Sequence, residues 1–265
     1  MTQPWYITPS AQGPTQQDAP APTEGGVAGG QWLLAQVAAP PAAAARAQAR
    51  GPALLGAVHL LPALGSGRAR CHFHIGRVVH SAPELGLHQV QTTLQLGHDA
   101  TGEAEISALY LEAGLAAAER DAVADALVEA ALALLRQTLA AADPARAGDR
   151  AGRVIVELPG WRDAQGRSPF FEGLVRPFLP PRAAAALGAA TAWRRHGPAL
   201  GTHLGAMLPR QLIHAAFLPP ATQAALGRCA STHLPWQAAL QRAGFEDWQH
   251  CRIEDGGPVL ARGLG

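Results

Sequence analysis

AEISALYL from Ala104 to Leu111, AAAERDAVADALVEAALALLRQTLAA from Ala116 to Ala141, and RVIVEL from Arg153 to Leu158 follow one another along the chain with different periods. In the first run Ile106, Ala108 and Tyr110 alternate with Glu105, Ser107, Leu109 and Leu111. That period of two predicts a strand with both faces covered. In the second, Val123, Leu127, Ala130 and Leu134 step by four, three, four, and so do Val128, Leu132, Leu135 and Leu139. Two adjoining stripes predict a broadly buried helix. Asp143, Pro144 and Gly148 end it, and RVIVEL, bounded by Pro159 and Gly160, reads as a buried strand.

Upstream, branched-residue runs at Ala53–Leu61, His72–His80 and Val90–Leu96 are separated by Gly, Pro, Ser and Asp clusters. With Ala104–Leu111 they predict four consecutive strands of an antiparallel meander. Four strands, a helix and a strand give an α/β (α+β) fold, a mixed and mostly antiparallel sheet with flanking helices. Downstream the pattern predicts an Ala-rich helix at Ala183–Arg195, a loop-strand region around Gly201–Leu208, helices near Pro220–Gly227 and Pro235–Ala243, and a closing strand at Trp248–Ile253. In SPFFEGL, Ser168 is placed to cap a helix that starts at Pro169.

Met1 to Gly30 is Pro, Gln, Ala, Thr and Gly with little to bury after Trp5 and Tyr6, which predicts a disordered tail. Gln31–Val37 is a short apolar run, and the Pro-Ala-Arg stretch Ala38–Gly51 is open to loop or helix. The expected organisation is therefore a tail at 1–30, one domain at 31–258 made of halves 31–160 and 161–258, and a second tail at 259–265.

Composition narrows the function. The chain has 265 residues, is 48% hydrophobic and 15% charged, and carries a formal charge of +1, so it can bury a core but has no electrostatic footprint for nucleic acid or an anionic membrane surface. All 21 basic residues are Arg, a bias expected of a high-GC bacterial genome. Cys71, Cys229 and Cys251 form neither a C-x-x-C pair nor an even framework, which predicts free thiols, no metal site and a reducing compartment. There is no secretory leader pattern and no apolar run of about 20 residues, so a cytoplasmic location is expected. G-x-S-x-G and Walker-type loops are absent.

Four collinear segments carry a family resemblance: HIGRVVHSAPELGL (His74–Leu87), GHDATGEAEISALYL (Gly97–Leu111), DAQGRSPFFEGL (Asp163–Leu174), and AGFEDW through EDGGP (Ala243–Pro258). In these the chain resembles the bacterial arginine N-succinyltransferase family over about Gly51 to Pro258. The resemblance implies a GNAT-like acyl-CoA N-acyltransferase fold. It also implies transfer of succinyl from succinyl-CoA, as co-substrate, to the α-amine of arginine or ornithine in arginine catabolism. Homo-oligomers, or hetero-oligomers with a paralogous subunit, are the partners it suggests.

By position the resemblance puts the acyl-CoA contact on Leu109. The family's R-x-x-G-x-G pyrophosphate cradle falls on Ala116, Glu119 and Asp121, and its catalytic His on Ala230. His233, three residues on, is the nearest imidazole and the candidate base. His98 and Asp99 in the GHDATG turn are candidates for orienting substrate, although Asp in a turn also serves backbone N–H groups. Glu157 closes a buried strand, needs a partner there, and is the candidate receiver of a substrate guanidinium, while the family's following Arg is Pro159 here. These departures leave a second expectation beside catalysis, a weak or inactive homologue acting as a binding subunit.

Overall fold

The computed structural model describes residues 5–10, 12, 30–37, 54–65, 70–142, 152–187 and 201–264. The stretch Ala38–Gly51 and most of the Ala-rich helix predicted from Ala183 lie outside the described residues, although Pro181–Leu187 is helical. Among the described residues ten strands form one sheet: β1 (Trp5–Ser10), β2 (Gln31–Val37), β3 (Leu54–Leu61), β4 (His72–Ala82), β5 (Leu87–Gly97), β6 (Ala104–Leu111), β7 (Arg153–Glu157), β8 (Ile213–His214), β9 (Glu246–Arg252) and β10 (Pro258–Gly263). Their order is β1-β2-β3-β6-β7-β10-β9-β4-β5-β8. Among the described residues every pairing is antiparallel except β6 with β7. Helices are α1 (Ala117–Ala142), α2 (Pro181–Leu187), α3 (201–207), α4 (Pro220–Ala225) and α5 (Leu234–Arg242).

The mixed α/β class holds, but the meander does not. Strand β3 pairs with β6, and the β4–β5 hairpin sits on the other side of the sheet, joined to it through β9. The centre is taken by β10, whose Val259 and Leu260 are buried, so the stretch expected as a C-terminal tail is a core strand. A short apolar run flanked by glycine satisfies a ladder on both edges, which composition does not reveal. At the other end Trp5–Ser10 forms an edge strand on β2, from Trp5↔Val37 to Ser10↔Trp32, and corrects the expected tail over those residues. The open edge of β2 supplies hydrogen bonds that a polar, Pro-rich segment lacks by itself. Residues 201–207 are helical rather than loop and strand, with Leu204 and Leu208 buried one turn apart.

Helix α1 lies on one face of the sheet. Its Val123, Leu127, Val128, Leu132 and Leu135 join Ile106, Leu109, Val154, Val156, Leu158 and Leu260, and Trp236 and Leu240 of α5 close the same core. A second core unites Phe73, Leu94, Leu96 and Cys251 with Phe170, Phe171, Leu174 and Val175. As expected, Ser168 caps the latter segment, its Oγ accepting from the Phe171 N–H at 3.2 Å. The helix it starts widens into a π turn at Phe171–Val175.

Candidate functional site

The central feature is how little β6 and β7 share. They run parallel and pair only at Ala104↔Val154 and Glu105↔Ile155, so beyond Glu105 the strands part. Just past that point β6 bulges. Ala57 pairs with Tyr110 and His59 with Ser107, which leaves Ala108 and Leu109 opposite Val58 alone, with Ala108 at φ 50°. Two residues facing one interrupt the ladder and turn the strand. The bulge also corrects the predicted alternation: Leu109 joins Ile106 in the α1-side core, whereas Ala108 and Tyr110 pack on the opposite side with Trp32 and Ala57. Leu109 is thus a core side chain at the point where the backbone leaves its regular ladder.

The N-terminus of α1 follows at once. Glu119 is in its first turn, and Glu119 and Asp121 are exposed. The Arg120 guanidinium folds back to donate to the Leu115 carbonyl at 2.9 Å, which brings a cation to the start of the helix. Sequence reasoning passed over Arg120 because it stands between two carboxylates. Across the parting, the Ala230 N–H donates to the Pro159 carbonyl at 2.8 Å, tying the segment before α5 to the end of β7. His233, half-buried, ends the short 3-10 turn Ser231–His233, with its Nδ1 3.0 Å from Thr232 Oγ1. Leu109 and His233 therefore belong to the α1 side of the sheet.

Glu157, His98 and Asp99 gather on the other side. Glu157 is buried at the end of β7, and its carboxylate is already engaged. Arg70 Nε donates to its Oε1 at 2.7 Å, Arg70 Nη2 donates to its Oε2, and His72 Nε2 donates to Oε1 at 2.7 Å. The guanidinium that sequence reasoning sought from a substrate comes from the chain itself. Burial would raise the Glu157 carboxyl, but the charges of Arg70 and His72 and their hydrogen bonds hold it well below the usual carboxylate range. Burial acts to lower the Arg70 guanidinium, and Glu157, Glu254 and Glu105 raise it well above its ordinary value. His72 is 1% exposed, and its Nδ1 has no hydrogen-bond partner.

The network continues through EDGGP. Arg252 Nε lies 3.2 Å from Asp255 Oδ1 and 3.5 Å from Glu254 Oε2, and Arg70 Nη1 lies 3.9 Å from Glu254. The turn needs glycine because a Cβ on Gly257 would stand 2.1 Å from the Leu158 carbonyl oxygen. His98 rests on the Arg70–Cys71 segment, its Nδ1 3.2 Å from the Arg70 carbonyl and 3.4 Å from Cys71 Sγ. The Asp99 carboxylate, 54% exposed at its side chain, lies 2.8 Å from His250 Nε2, while His250 Nδ1 lies 2.7 Å from the Trp248 carbonyl oxygen and the ring stacks on Trp248 at 4.0 Å. Arg70, His72, His250 and Arg252 were missed in the sequence, since the only signal for them was the EDGGP motif and scattered histidines. Burial pushes all three thiols up, Cys229 to about 11, so none is poised as a nucleophile. Among the described residues no group of three His, Cys, Asp or Glu side chains could hold a metal ion, and no helix is long and apolar enough to cross a membrane.

Among the described residues the fold is therefore a mixed α/β, mostly antiparallel sheet whose one parallel pair parts beside a bulged strand, with a long helix beginning at that opening. The model of the family described as arginine N-succinyltransferase beta subunit matches residues 48–264, and the chain belongs to that family. It is 29% identical over 211 residues to the arginine N-succinyltransferase subunit alpha of Pseudomonas aeruginosa, covering 78% of this chain and 56% of that one. To the arginine N-succinyltransferase of Yersinia pestis it is 26% identical over 189 residues, 71% of this chain and 49% of the relative. The solved structure of arginine/ornithine succinyltransferase subunit AI from Pseudomonas aeruginosa superposes with a TM-score of 0.58 at 22% identity, over 89% of this chain and 60% of that one. The chain thus spans about half the length of the relatives it matches.

Proposed function

We propose that this chain transfers a succinyl group from succinyl-CoA to the α-amine of an amino acid, arginine or ornithine, as a cytoplasmic enzyme of arginine breakdown. One observation carries this reading: the parting of β6 from β7 beside the bulge at Ala108 and Leu109. An extended pantetheine arm can pair with a strand edge left without a neighbour, and backbone N–H groups freed from the ladder can receive the oxyanion that forms at a thioester carbonyl. Arg120 supplies charge at the head of α1, where the resemblance expects the pyrophosphate.

In the proposed reaction His233 takes a proton from the ammonium of the acceptor. The amine then attacks the thioester carbonyl, the C–N bond forms, and the C–S bond breaks. The second amine proton goes to the departing thiolate. No acyl-cysteine step is invoked, in keeping with the buried, protonated thiols. Asp99, the exposed carboxylate of the GHDATG turn, is proposed to meet the cationic side chain of the acceptor, and His98 to shape the turn beside it. Relatives named as subunits support assembly with a second subunit, of this chain or of a paralogue.

Succinyl-CoA at 100 times its dissociation constant is expected to stabilise the fold by about 2.7 kcal/mol, read as a rise in melting temperature. No shift at millimolar succinyl-CoA would overturn the transferase reading and leave the binding-subunit alternative. His233→Ala is expected to lower turnover by about 100-fold while sparing succinyl-CoA affinity. Unchanged turnover would remove His233 as the base.

A further inference from the structure

We infer that Arg70 is an internal stand-in for a guanidinium ligand, and that by occupying Glu157 it determines which acceptors the site accepts. The pair has the form of a ligand complex. Nε and Nη2 of one planar guanidinium meet the two oxygens of one carboxylate, and His72 orients that carboxylate from the side through a 2.7 Å hydrogen bond to Oε1. Glu254 faces the other arm, with its Oε1 3.9 Å from Nη1. Arg70, His72, Glu157 and Glu254 are all buried. Such a fork-on-fork arrangement selects guanidinium over ammonium, because a point charge on a flexible stem cannot span both oxygens in a fixed plane.

The location gives the pair its consequence. The last rung between β6 and β7 is Glu105↔Ile155, so Glu157 stands two residues beyond it, at the mouth of the opening. Arg70 enters from the start of β4, across β9 and β10, and seals that carboxylate against any guanidinium arriving from outside. With Glu157 taken, an acceptor must place its cation elsewhere, and Glu157 no longer serves to favour arginine over a simple amine. This last step rests on the acyl-transfer reading, whereas the filled receptor does not.

The experiment is Arg70→Ala in the full chain, titrated with methylguanidinium in the low millimolar range, with methylammonium and sodium chloride at equal ionic strength as controls. The variant's melting temperature is expected to rise with methylguanidinium alone, the wild type not to respond, and Arg70→Ala with Glu157→Gln to lose the response. Equal responses to methylguanidinium and methylammonium, or none, would overturn the inference. Should Arg70→Ala be recovered only unfolded, its soluble yield on refolding is the readout. Yield restored by methylguanidinium and not by methylammonium supports the receptor, and equal yields overturn it.

The second arm is the acceptor profile. The ratio of kcat/KM for arginine to that for ornithine is expected to rise by about 10-fold or more in Arg70→Ala, the worth of a charge-assisted hydrogen bond. An unchanged ratio, with methylguanidinium still bound, would overturn the acceptor consequence. If neither protein turns over any acceptor, the proposed reaction fails while the methylguanidinium titration still decides the receptor.

Discussion

A carboxylate sealed from water is tolerable at Glu157 only because its lone pairs are met by Arg70 and His72, and removing either charge alone would leave the other stranded. His59 shows the opposite solution. Only 6% exposed, packed edge-on against Trp32 at 5.1 Å and within 3.5 Å of Ser107 Oγ, it is kept neutral because burial lowers its pKa from 6.5 to about 4. A base whose folded pKa is depressed contributes full stability above its unfolded pKa and loses it as the pH falls. Unfolding free energy from urea titrations is therefore expected to drop by about 3 kcal/mol between about pH 6.5 and about pH 4 through this residue. His59→Gln should flatten that part of the profile, and an unchanged slope would contradict a neutral buried imidazole. At this scale the sequence showed that Glu157 needed a partner, since a lone buried carboxylate is costly. It could not show which one, because Arg70 lies 87 positions away and joins it only through the stacking order of β7, β10, β9 and β4.

Among the elements, α1 and β7 were legible because their apolar periods are long and undisturbed, and their observed bounds differ from the expected ones by a residue. Strand β6 was legible as a strand but not in its facing. Its bulge adds one residue and moves Leu109 to the α1 side, and no period count detects an inserted residue whose side chain is as apolar as its neighbours. Strand β10 escaped because six residues following two glycines look like an exit from the fold. Those glycines are structural. At Gly257 a methyl group would overlap the Leu158 carbonyl and the backbone around Pro159 and Gly160, none of which can swing aside. Gly257→Ala is expected to destabilise by about 1–3 kcal/mol or more, measured by chemical denaturation. A neutral outcome would mean that the crossing of β7 and β10 is looser than its geometry.

On the scale of the molecule, sequence reasoning obtained the class of architecture and missed the strand order, because neighbours in a sheet need not be neighbours in the chain. The β4–β5 hairpin illustrates this. Its base, Phe73, Leu94 and Leu96, is core, yet from Arg77↔Thr92 to Ala82↔Leu87 it runs on as a two-stranded ribbon with Val79, Leu85, Leu87 and Val90 exposed. Side chains left half exposed on a two-stranded ribbon contribute little, so Val79→Thr with Val90→Thr is expected to change unfolding free energy by less than about 0.5 kcal/mol. A large loss of stability would show that the ribbon is covered in solution.

With two rungs as the only backbone join between β6 and β7, the ten strands amount to two leaves hung on a short spine. Beside that join Leu158, Trp236 and Leu240 pack with the long helix, and Arg242 of α5 donates to Asp125 of α1 at 2.8 and 3.0 Å. Trp236 and Leu240 both belong to α5, the helix that His233 caps, so the proposed base is carried by an element that packs directly into the core beside the opening.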